Sequence, residues 1–458
     1  MKTSVVTSAE IKNSIRLDAS AYDPRVLNYA RQLLKYPSRT TLDTLAHIWM
    51  PNRFKRFHVD SGEYGVPFLT ASEIILANPP EDKFISKSVH YKDFPQLIPA
   101  KNTILITRSG SIGYCALVVD YLAKFAVSED AIRVEVRSEE HIGYLYAFLT
   151  SALGKTLITR DIYGSVIDHI EPFHLQNLQV PLLPRGVIIQ ISQKVVHAWE
   201  KRNRANLILN HAQSSFEEIL GLPKINPKKH YSEQGKNVFR VTNKKLALRL
   251  DASSYNPPGI LAKDNLLNRS DCKKLGGVTT RLFHPFRMNM VFVEKDYGKP
   301  FLVGGDIVNY RYLGDKYISS ATIGYDDYLL EKGWVLLTRS GTSGKLGYVS
   351  RANSGGAASE HIIRIVPNEK KILPGYLYIC LQSSYSQHQM ENMIYGSIVD
   401  AIRESQLSDL LLPIPDFSIQ KIFHDAVEEA FSLRDDANDL EDEAKFILMS
   451  HLGIQDIS

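Results

Sequence analysis

Two copies of one short motif, Thr-Arg-Ser-Gly-x-x-Gly, are the strongest candidates for chemistry in this sequence. They occupy residues 107–113 and 338–344, each directly after an apolar run that is typical of a strand. Glycine allows a sharp turn whose backbone amides can point at an anion, and arginine adds a two-pronged donor. The motif therefore predicts phosphate contact through Arg108 and Arg339. Ser109, Ser340 and Lys345 belong to the same predicted surface.

The same loops have a structural alternative. Each could be a tight turn whose arginine pairs with an acid, such as Glu129 in the first copy or Glu360 in the second. The residues alone leave both interpretations open.

A second candidate surface combines basic and aromatic residues. Its first-copy members are Arg53, Lys55 and Arg56, and its second-copy members are Arg281 and Arg287, with His284 between them. Basic residues interleaved with aromatic residues suit a nucleic-acid surface, whereas a solvated basic loop is the alternative.

A third pair of loops reads Tyr-Gly-Ser, at 163–165 and 395–397. The hydroxyls of Ser165 and Ser397 could contact phosphate, or they could cap a helix. We include both serines among the predicted DNA contacts.

No catalytic, metal or cofactor site is predicted. Asn78-Pro-Pro-Glu81 has glutamate where DNA amino-methyltransferases carry an aromatic residue, and no glycine-rich loop for the methyl donor precedes it. Gly341-Thr-Ser-Gly-Lys345 is too short for a P-loop. The 14 histidines and three cysteines show no metal-ligand spacing. The sequence therefore predicts a protein that is not an enzyme and uses no cofactor.

The motifs recur because most of the sequence occurs twice, at separations of 231 to 233 residues. Tyr64-Gly-Val-Pro-Phe-Leu69 returns as Tyr297-Gly-Lys-Pro-Phe-Leu302, and Gly143-Tyr-Leu-Tyr146 returns as Gly375-Tyr-Leu-Tyr378. Each copy contains strand-like runs, followed by helical segments near 142–159 and 375–393. The predicted strands are Thr103–Thr107, Ala131–Val136, Trp334–Thr338 and Ile362–Val366. This pattern predicts one mixed α+β domain made twice.

Each copy ends in a long segment with a heptad pattern. The first runs from Ile188 to Ile219. The predicted seam of the second is Ile419, Phe423, Ala426, Ala430, Leu433, Ala437, Leu440, Ala444 and Ile447. Alanine recurs every seventh residue in both segments, at Ala198, Ala205 and Ala212 and at Ala430, Ala437 and Ala444. Two long helices packed antiparallel along these alanines are predicted, although each could instead be a core helix of its own domain.

Charge is distributed unevenly. Residues 418–458 hold ten acidic and three basic residues, a net charge of −7, so the chain's total of +4 leaves +11 on residues 1–417. A basic body suits a polyanionic partner. The acidic helix is expected to lie beside the basic residues of the first long helix, Arg185, Lys194, Lys201, Arg202 and Arg204. No apolar run could span a membrane, and a cytoplasmic protein is expected.

Taken together, these features resemble the specificity (S) subunits of type I restriction–modification systems. The resemblance rests on the two arginine loops, the two Tyr-Gly-Ser loops, the heptad helices and their lead-ins, Val180-Pro-Leu-Leu-Pro184 and Leu412-Pro-Ile-Pro415, and it covers residues 10–455. It implies two target-recognition domains that each read one half of a split site in double-stranded DNA. It also implies that the helices act as a ruler and as the dock for two methyltransferase subunits that methylate adenine. A restriction and translocation subunit is an optional further partner.

The predicted fold is α+β, with two duplicated target-recognition domains separated by two long antiparallel coiled-coil helices. The predicted domains are 1–185 and 241–415 for target recognition, 186–222 and 416–458 for the helices, and 223–240 for a linker. Two alternatives remain open, a DNA-reading subunit of a related phage-defence system with a different effector, and a protein-interaction scaffold that does not bind DNA.

Overall fold

The chain folds into two compact units. The first combines residues 1–203 with 436–458, and the second comprises residues 204–435. The computed structural model describes residues 5–8, 22–160, 169–225, 239–242, 246, 249–341, 343–396 and 400–454. Most of the predicted linker therefore lies outside the described residues, and the predicted domain boundaries stay a prediction.

Twenty strands lie in the described part of the chain. The first unit contains β1 Arg39–Thr41, β2 Ala46–Trp49, β3 His58–Val59, β4 Gly65–Leu69, β5 Phe84–Ser86, β6 Thr103–Thr107, β7 Cys115–Leu117, β8 Ala126–Val127, β9 Ala131–Val136 and β10 Gln179–Pro181. The second contains β11 Cys272–Lys274, β12 Thr279–Phe283, β13 Phe292–Val293, β14 Lys299–Leu302, β15 Tyr317–Ile318, β16 Val335–Thr338, β17 Leu346–Tyr348, β18 Ala357–Ala358, β19 Ile362–Pro367 and β20 Leu411–Pro413.

The two units have the same sheet topology. The first contains sheets of order β2-β9-β6-β7, β3-β5-β4-β8 and β1-β10, and the second contains β12-β19-β16-β17, β13-β15-β14-β18 and β11-β20. Adding ten to each strand number of the first unit gives the second. The duplication seen in the sequence is therefore a duplication of the fold, and the predicted α+β class is confirmed.

Strands β6 and β16 are inner strands of the β2-β9-β6-β7 sheet and the β12-β19-β16-β17 sheet. Every residue of both strands is buried, because each strand is paired on both sides and consists of apolar residues and threonine. The arginine loops start where these strands end, so their position is fixed by the most deeply buried part of each sheet.

Short helices cover the sheets. They span Pro24–Lys35, Leu42–Leu45, Phe94–Leu97, Ile142–Thr150, Ala152–Arg160, Pro172–Gln176, Pro257–Leu267, Leu275–Val278, Tyr325–Tyr328, Pro374–Gln382, Ser384–Met393 and Glu404–Ser408. The single helical segments predicted near 142–159 and 375–393 are each two helices. The breaks fall at Ser151 and Ser383, which have extended backbones, and both hydroxyls accept a backbone N–H of the helix that follows.

The two long helices span Arg185–Ile219 and Phe417–His451. All six alanines of the predicted contact are buried, and that they face one another stays a prediction. On the second helix, half of the predicted seam is shifted by one position. The fully buried stripe is Phe423, Val427, Ala430, Arg434, Ala437, Glu441, Ala444 and Leu448. The shift arises because an arginine and a glutamate occupy seam positions that the heptad template reserves for apolar side chains.

Within the first unit, ion pairs join the two long helices. Lys194 lies 2.6 Å from Glu443, and Lys201 lies 3.2 Å from Asp436. A step of seven residues forward on one helix is a step of seven back on the other, so these helix segments run antiparallel. Arg185 differs from the expectation, because it pairs with Glu140 outside the long helices at 3.0 Å.

Arg202 makes the most enclosed contact of this segment pair. It donates to Glu441 and, at 2.9 Å, to Asn438. Arg202 and Glu441 are both buried, and a buried ion pair is tolerated only where both charges are compensated. This contact explains why Glu441 sits in the seam.

Within the second unit, the long helices also run antiparallel. Asn206 accepts from Arg434 at 2.7 Å, and the rings of Phe216 and Phe423 lie 5.1 Å apart. Arg204 adds an exposed ion pair.

The repeated Gly-Tyr-Leu-Tyr motif joins each domain to its long helix. A Cβ on Gly143 would lie 2.3 Å from the carbonyl oxygen of Ser192, so only glycine allows this approach, and the Ser192 hydroxyl accepts the Gly143 N–H at 2.9 Å. In the second unit, the Gly375 N–H donates to His424 at 3.1 Å. The motif recurs because both domains need the same close contact.

Candidate nucleic-acid interface

Both arginine loops form the same turn. The Thr107 hydroxyl accepts the Tyr114 N–H at 3.0 Å, and the Thr338 hydroxyl accepts the Lys345 N–H at 2.9 Å. Four glycines have positive φ, which is 71° at Gly110, 80° at Gly113, 82° at Gly341 and 90° at Gly344. The N–H groups of Gly113 and Gly344 donate to the threonine carbonyls at 3.0 Å. These amides therefore close the turn and do not point outward at an anion.

In the first copy, Arg108 is enclosed and its charge is compensated. It is only 6% exposed, one terminal nitrogen lies 3.3 Å from Asp130, and the other donates to Glu171. Burial alone would lower the pKa of Arg108, but the hydrogen bonds and charges of Glu171 and Asp130 raise it above its ordinary value. This geometry favours the structural alternative, with different acids from the suggested Glu129. Phosphate contact by Arg108 stays a prediction.

The backbone around Arg339 repeats that around Arg108. The Arg108 N–H donates to the carbonyl of Asp130 at 3.0 Å, and the Arg339 N–H donates to the carbonyl of His361 at 2.8 Å. His361 therefore takes the place of Asp130 in the second copy.

The second acid of the first copy is also replaced. The carbonyls of the two arginines accept the N–H groups of Ile170 and Ile402, at 3.2 and 3.0 Å. The next residue is Glu171 in the first copy and Arg403 in the second. Both carboxylates that compensate Arg108 are thus absent at the matching positions beside Arg339. The position of Glu171 is occupied by a basic residue, Arg403.

Arg339 lies among basic and hydroxyl groups. Its Nε is buried without a hydrogen-bond partner in the part of the chain that the structure describes. The Ser340 hydroxyl is 2.8 Å from Nδ1 of His361, and Lys345 is exposed. The exposed Arg403 guanidinium lies 4.4 Å from the ring centre of Tyr395. The surroundings of Arg339 suit an anion better than those of Arg108.

The remaining loop serines give less information. Ser109 forms an isolated β-bridge with His169, and Ser340 forms one with Ala401. Ser165 and Ser397 lie outside the described residues.

The basic and aromatic segment of the first copy connects β2 to β3. Arg53 and Lys55 are exposed, whereas the Arg56 side chain is 32% exposed and donates to both oxygens of Glu129 at 2.9 and 3.0 Å. Arg56 also contacts the Ser128 hydroxyl at 3.2 Å. Arg53 and Lys55 are thus exposed to solvent, whereas Arg56 is held by an ion pair.

In the second copy, the matching connection runs from β12 to β13. The Arg287 side chain is 84% exposed and lies 3.6 Å from Glu360, the counterpart of Glu129. Arg281 lies on β12, 3.3 Å from Asp327, with its guanidinium 3.6 Å from the ring centre of Phe283. His284 pairs with Glu404. Arg287 is held less firmly than Arg56, because its side chain is more exposed and lies farther from its glutamate.

Sequence reasoning missed a pair of fully buried arginines, Arg133 and Arg364. Arg133 donates to the carbonyls of Ser128 at 2.8 Å and Val127 at 2.7 Å, and Arg364 repeats the bond to Ser359 at 2.8 Å. Burial lowers the pKa of Arg133 to about 10 and that of Arg364 to about 9. A sequence signal existed, because each arginine interrupts an apolar strand at the repeat distance. These residues hold the turn that carries Glu129 or Glu360.

No cluster of His, Cys, Asp or Glu that could hold a metal ion occurs among the described residues. None of the helices that the structure describes has the length and apolar character needed to cross a membrane.

The family of the second copy follows from comparison with known proteins. Residues 287–434 match the family model described as the type I restriction modification DNA specificity domain. This stretch, which contains the Arg339 loop, is therefore similar to that domain family. The resemblance to type I specificity subunits that the motifs indicated is confirmed here.

Two solved structures are similar over most of their length. The type I restriction-modification S subunit from M. genitalium is 13% identical, with a TM-score of 0.33, over 92% of this chain and 96% of that one. The HsdS subunit from Thermoanaerobacter tengcongensis is 13% identical, with a TM-score of 0.28, over 91% of this chain and 95% of that one. No curated protein matches the chain in sequence.

Proposed function

We propose that the chain is a non-catalytic specificity subunit that reads a two-part site in double-stranded DNA, one part with each copy of the repeat. The observation that carries this proposal is the duplicated topology, in which each strand of the first unit has a counterpart ten strands later. Because the second copy contains a DNA specificity domain, an equivalent domain in the first copy supports two reading modules.

The corresponding surfaces of the two copies carry different side chains. The loop after β2 exposes Arg53 and Lys55, whereas the loop after β12 exposes Arg287 beside apolar residues. Direct readout depends on side chains at base edges, while phosphate contacts supply affinity and register. Two domains that share a topology and differ in the side chains of these loops suit the reading of two different half-sites.

The long helices are proposed to set the distance between the half-sites. Each contains 35 residues, which corresponds to roughly 50 Å at about 1.5 Å per residue. Modules that read one face of a duplex need a separation of about 34 Å or a multiple of it. The helices are also the proposed dock for two adenine methyltransferase subunits, with a restriction and translocation subunit as an optional further partner.

Selection from a random duplex pool tests this function. The full-length chain is incubated with the pool, bound DNA is sequenced, and binding is repeated across a salt series. We expect two specified blocks separated by an unspecified spacer, with affinity that falls as salt rises. A single continuous block, or no enrichment with salt-independent binding, would contradict the proposal and favour a protein-interaction scaffold.

A further inference from the structure

The loop 284–291 of the second copy exposes apolar side chains. Phe286 is 82% exposed, and Met288, at 42%, is also open to solvent. A phenylalanine side chain offers a large apolar area, and grouped exposed apolar residues mark interaction sites more often than isolated ones do. Arg287 lies between them with most of its side chain in solvent.

The backbone of this loop is fixed on both sides of the exposed residues. The buried Tyr328 donates its hydroxyl to the carbonyl of Phe286 at 2.7 Å. Farther along the loop, the Val291 N–H donates to the Thr322 hydroxyl at 3.1 Å, and Met290 packs against a small buried core. Phe286 is therefore held outward by an anchored backbone.

The charges around Phe286 identify the chemistry of its partner. Arg287 is its neighbour in sequence, and the acid that pairs with Arg287, Glu360, is buried and also lies 3.6 Å from His361. Arg339 interacts electrostatically with His284, at the start of this loop, and both carboxylates of the first copy are replaced beside Arg339. An exposed aromatic residue next to an arginine whose side chain is 84% exposed and only loosely paired suits a polyanion with apolar faces, which is a nucleic acid.

The matching loop of the first copy, 50–57, presents less apolar surface, because its exposed aromatic residue, Phe57, is 44% exposed where Phe286 is 82% exposed. Phe54 packs against the small core of that unit, and the exposed Phe57 lies 5.2 Å from the Lys55 ammonium. The residues that this loop presents to solvent are mainly the bases Arg53 and Lys55. The two loops thus have the same position in the fold, but the first is mainly basic and the second exposes more apolar surface.

Resting on the proposed function, we propose that Phe286 is an apolar wedge that enters the base stack of duplex DNA at the half-site read by the second copy. Arg287 contacts the DNA beside the opened step. Apolar wedges of this kind unstack one base step, most readily a flexible pyrimidine–purine step. The preference for such a step then becomes part of the recognised sequence without a hydrogen bond to a base.

Selection with matched variants tests the wedge. The full-length chain, Phe286→Ala, Phe286→Leu and the first-copy control Lys55→Ala are each incubated with the random duplex pool. Phe286→Ala is expected to lose the preference at one base step in one half-site, with affinity reduced about tenfold or more. Phe286→Leu should keep much of the preference, because leucine also acts as a wedge. Lys55→Ala should weaken all sequences alike by about threefold at most.

A fluorescent base then separates unstacking from groove contact. 2-Aminopurine is placed at the step identified by the selection, and its fluorescence is expected to rise on binding of the wild-type chain and not of Phe286→Ala. The wedge is overturned if wild-type binding leaves the fluorescence unchanged, or if Phe286→Ala selects the same sequence with the same affinity. If the wild-type chain itself selects no two-part site, the proposed function fails instead, so the two failures are distinguishable.

Discussion

The loops 107–113 and 338–344 share a turn and differ in what surrounds the arginine. In both, the threonine hydroxyl and carbonyl accept equivalent hydrogen bonds, and two glycines have positive φ. Around Arg108, the side chains of Asp130 and Glu171 enclose the guanidinium. Around Arg339, the matching residues are a histidine and an arginine.

This contrast shows that the two copies share the backbone turn, whereas the charged residues around the arginine differ between them. The turn depends on hydrogen bonds within the motif, so the motif has the same sequence in both copies. The charge of its arginine depends on two residues outside the motif, and these are free to differ. Arg108 is thereby held by two carboxylates, whereas Arg339 has no carboxylate at the matching positions, as its proposed contact with DNA phosphate requires.

The largest expected effect separates the two arginines by stability. Arg108→Ala should leave two partly buried carboxylates without their counter-charge and lower the free energy of unfolding by about 2–4 kcal/mol. Arg339→Ala should change it by less than about 1 kcal/mol, because no such pair is broken. Urea unfolding of both variants measures the difference. Equal losses would erase the contrast between the loops.

In the long helices, substitution of a buried alanine should destabilise the two units to a similar extent. Ala437→Leu in the first unit and Ala205→Leu in the second should each overpack a buried position and cost about 1–3 kcal/mol in thermal or urea unfolding. Ser432→Leu, at an exposed position of the C-terminal long helix, is the control and should be nearly neutral. If either alanine tolerates leucine without loss, that alanine does not lie in a tight contact.

Arg56 and Arg287 extend the contrast to the neighbouring loops. Arg56→Ala should lower the free energy of unfolding by about 1 kcal/mol, because Arg56 makes charged hydrogen bonds to Glu129. Arg287→Ala should leave stability unchanged and alter discrimination at the second half-site by roughly 1–3 kcal/mol if Arg287 reads a base. Competition binding with altered half-sites measures the second effect, and loss of discrimination in both variants would show that anchoring does not distinguish them.

Exchanging the residues that surround the two arginines should leave Arg108 without carboxylate partners and give Arg339 two of them. Asp130→His combined with Glu171→Arg gives Arg108 the neighbours of Arg339, and His361→Asp combined with Arg403→Glu does the reverse. The slope of log affinity against log salt should steepen by about one unit in the first double variant and flatten by about one in the second. That is about a threefold to fourfold change in affinity between 50 and 200 mM salt. Unchanged slopes would show that neither loop contacts phosphate.

Much of the fold could be predicted from the sequence because the repeat shows each element twice. Strands β6 and β9 have their predicted bounds, and both long helices were expected within a few residues of where they occur. The seam of the second helix was half wrong because a heptad template excludes charge. Its buried Arg434 donates a hydrogen bond to Asn206, and its buried Glu441 forms an ion pair with Arg202, both on the other long helix.

The candidate site could be located but not characterised. The motif points to Arg108, yet one acid that holds it, Glu171, lies 63 residues farther along the chain. Sequence spacing does not report such a contact, and the same limit hid the helix breaks at Ser151 and Ser383. Fully buried Arg133 was missed because an arginine in a strand is ordinarily assigned to the surface.

The most direct test of the proposal that two modules read two half-sites is to lengthen the two long helices. Insertion of one heptad into each long helix, at matching positions, keeps both seams in register and adds about 10 Å, which is about three base pairs of duplex. Selection from the random duplex pool should return the same two half-sites with a spacer longer by a few base pairs. Affinity is expected to fall because the added base pairs also rotate one half-site around the duplex axis. An unchanged spacer in a folded variant that still binds DNA would contradict the claim that the helices set the distance between two reading domains.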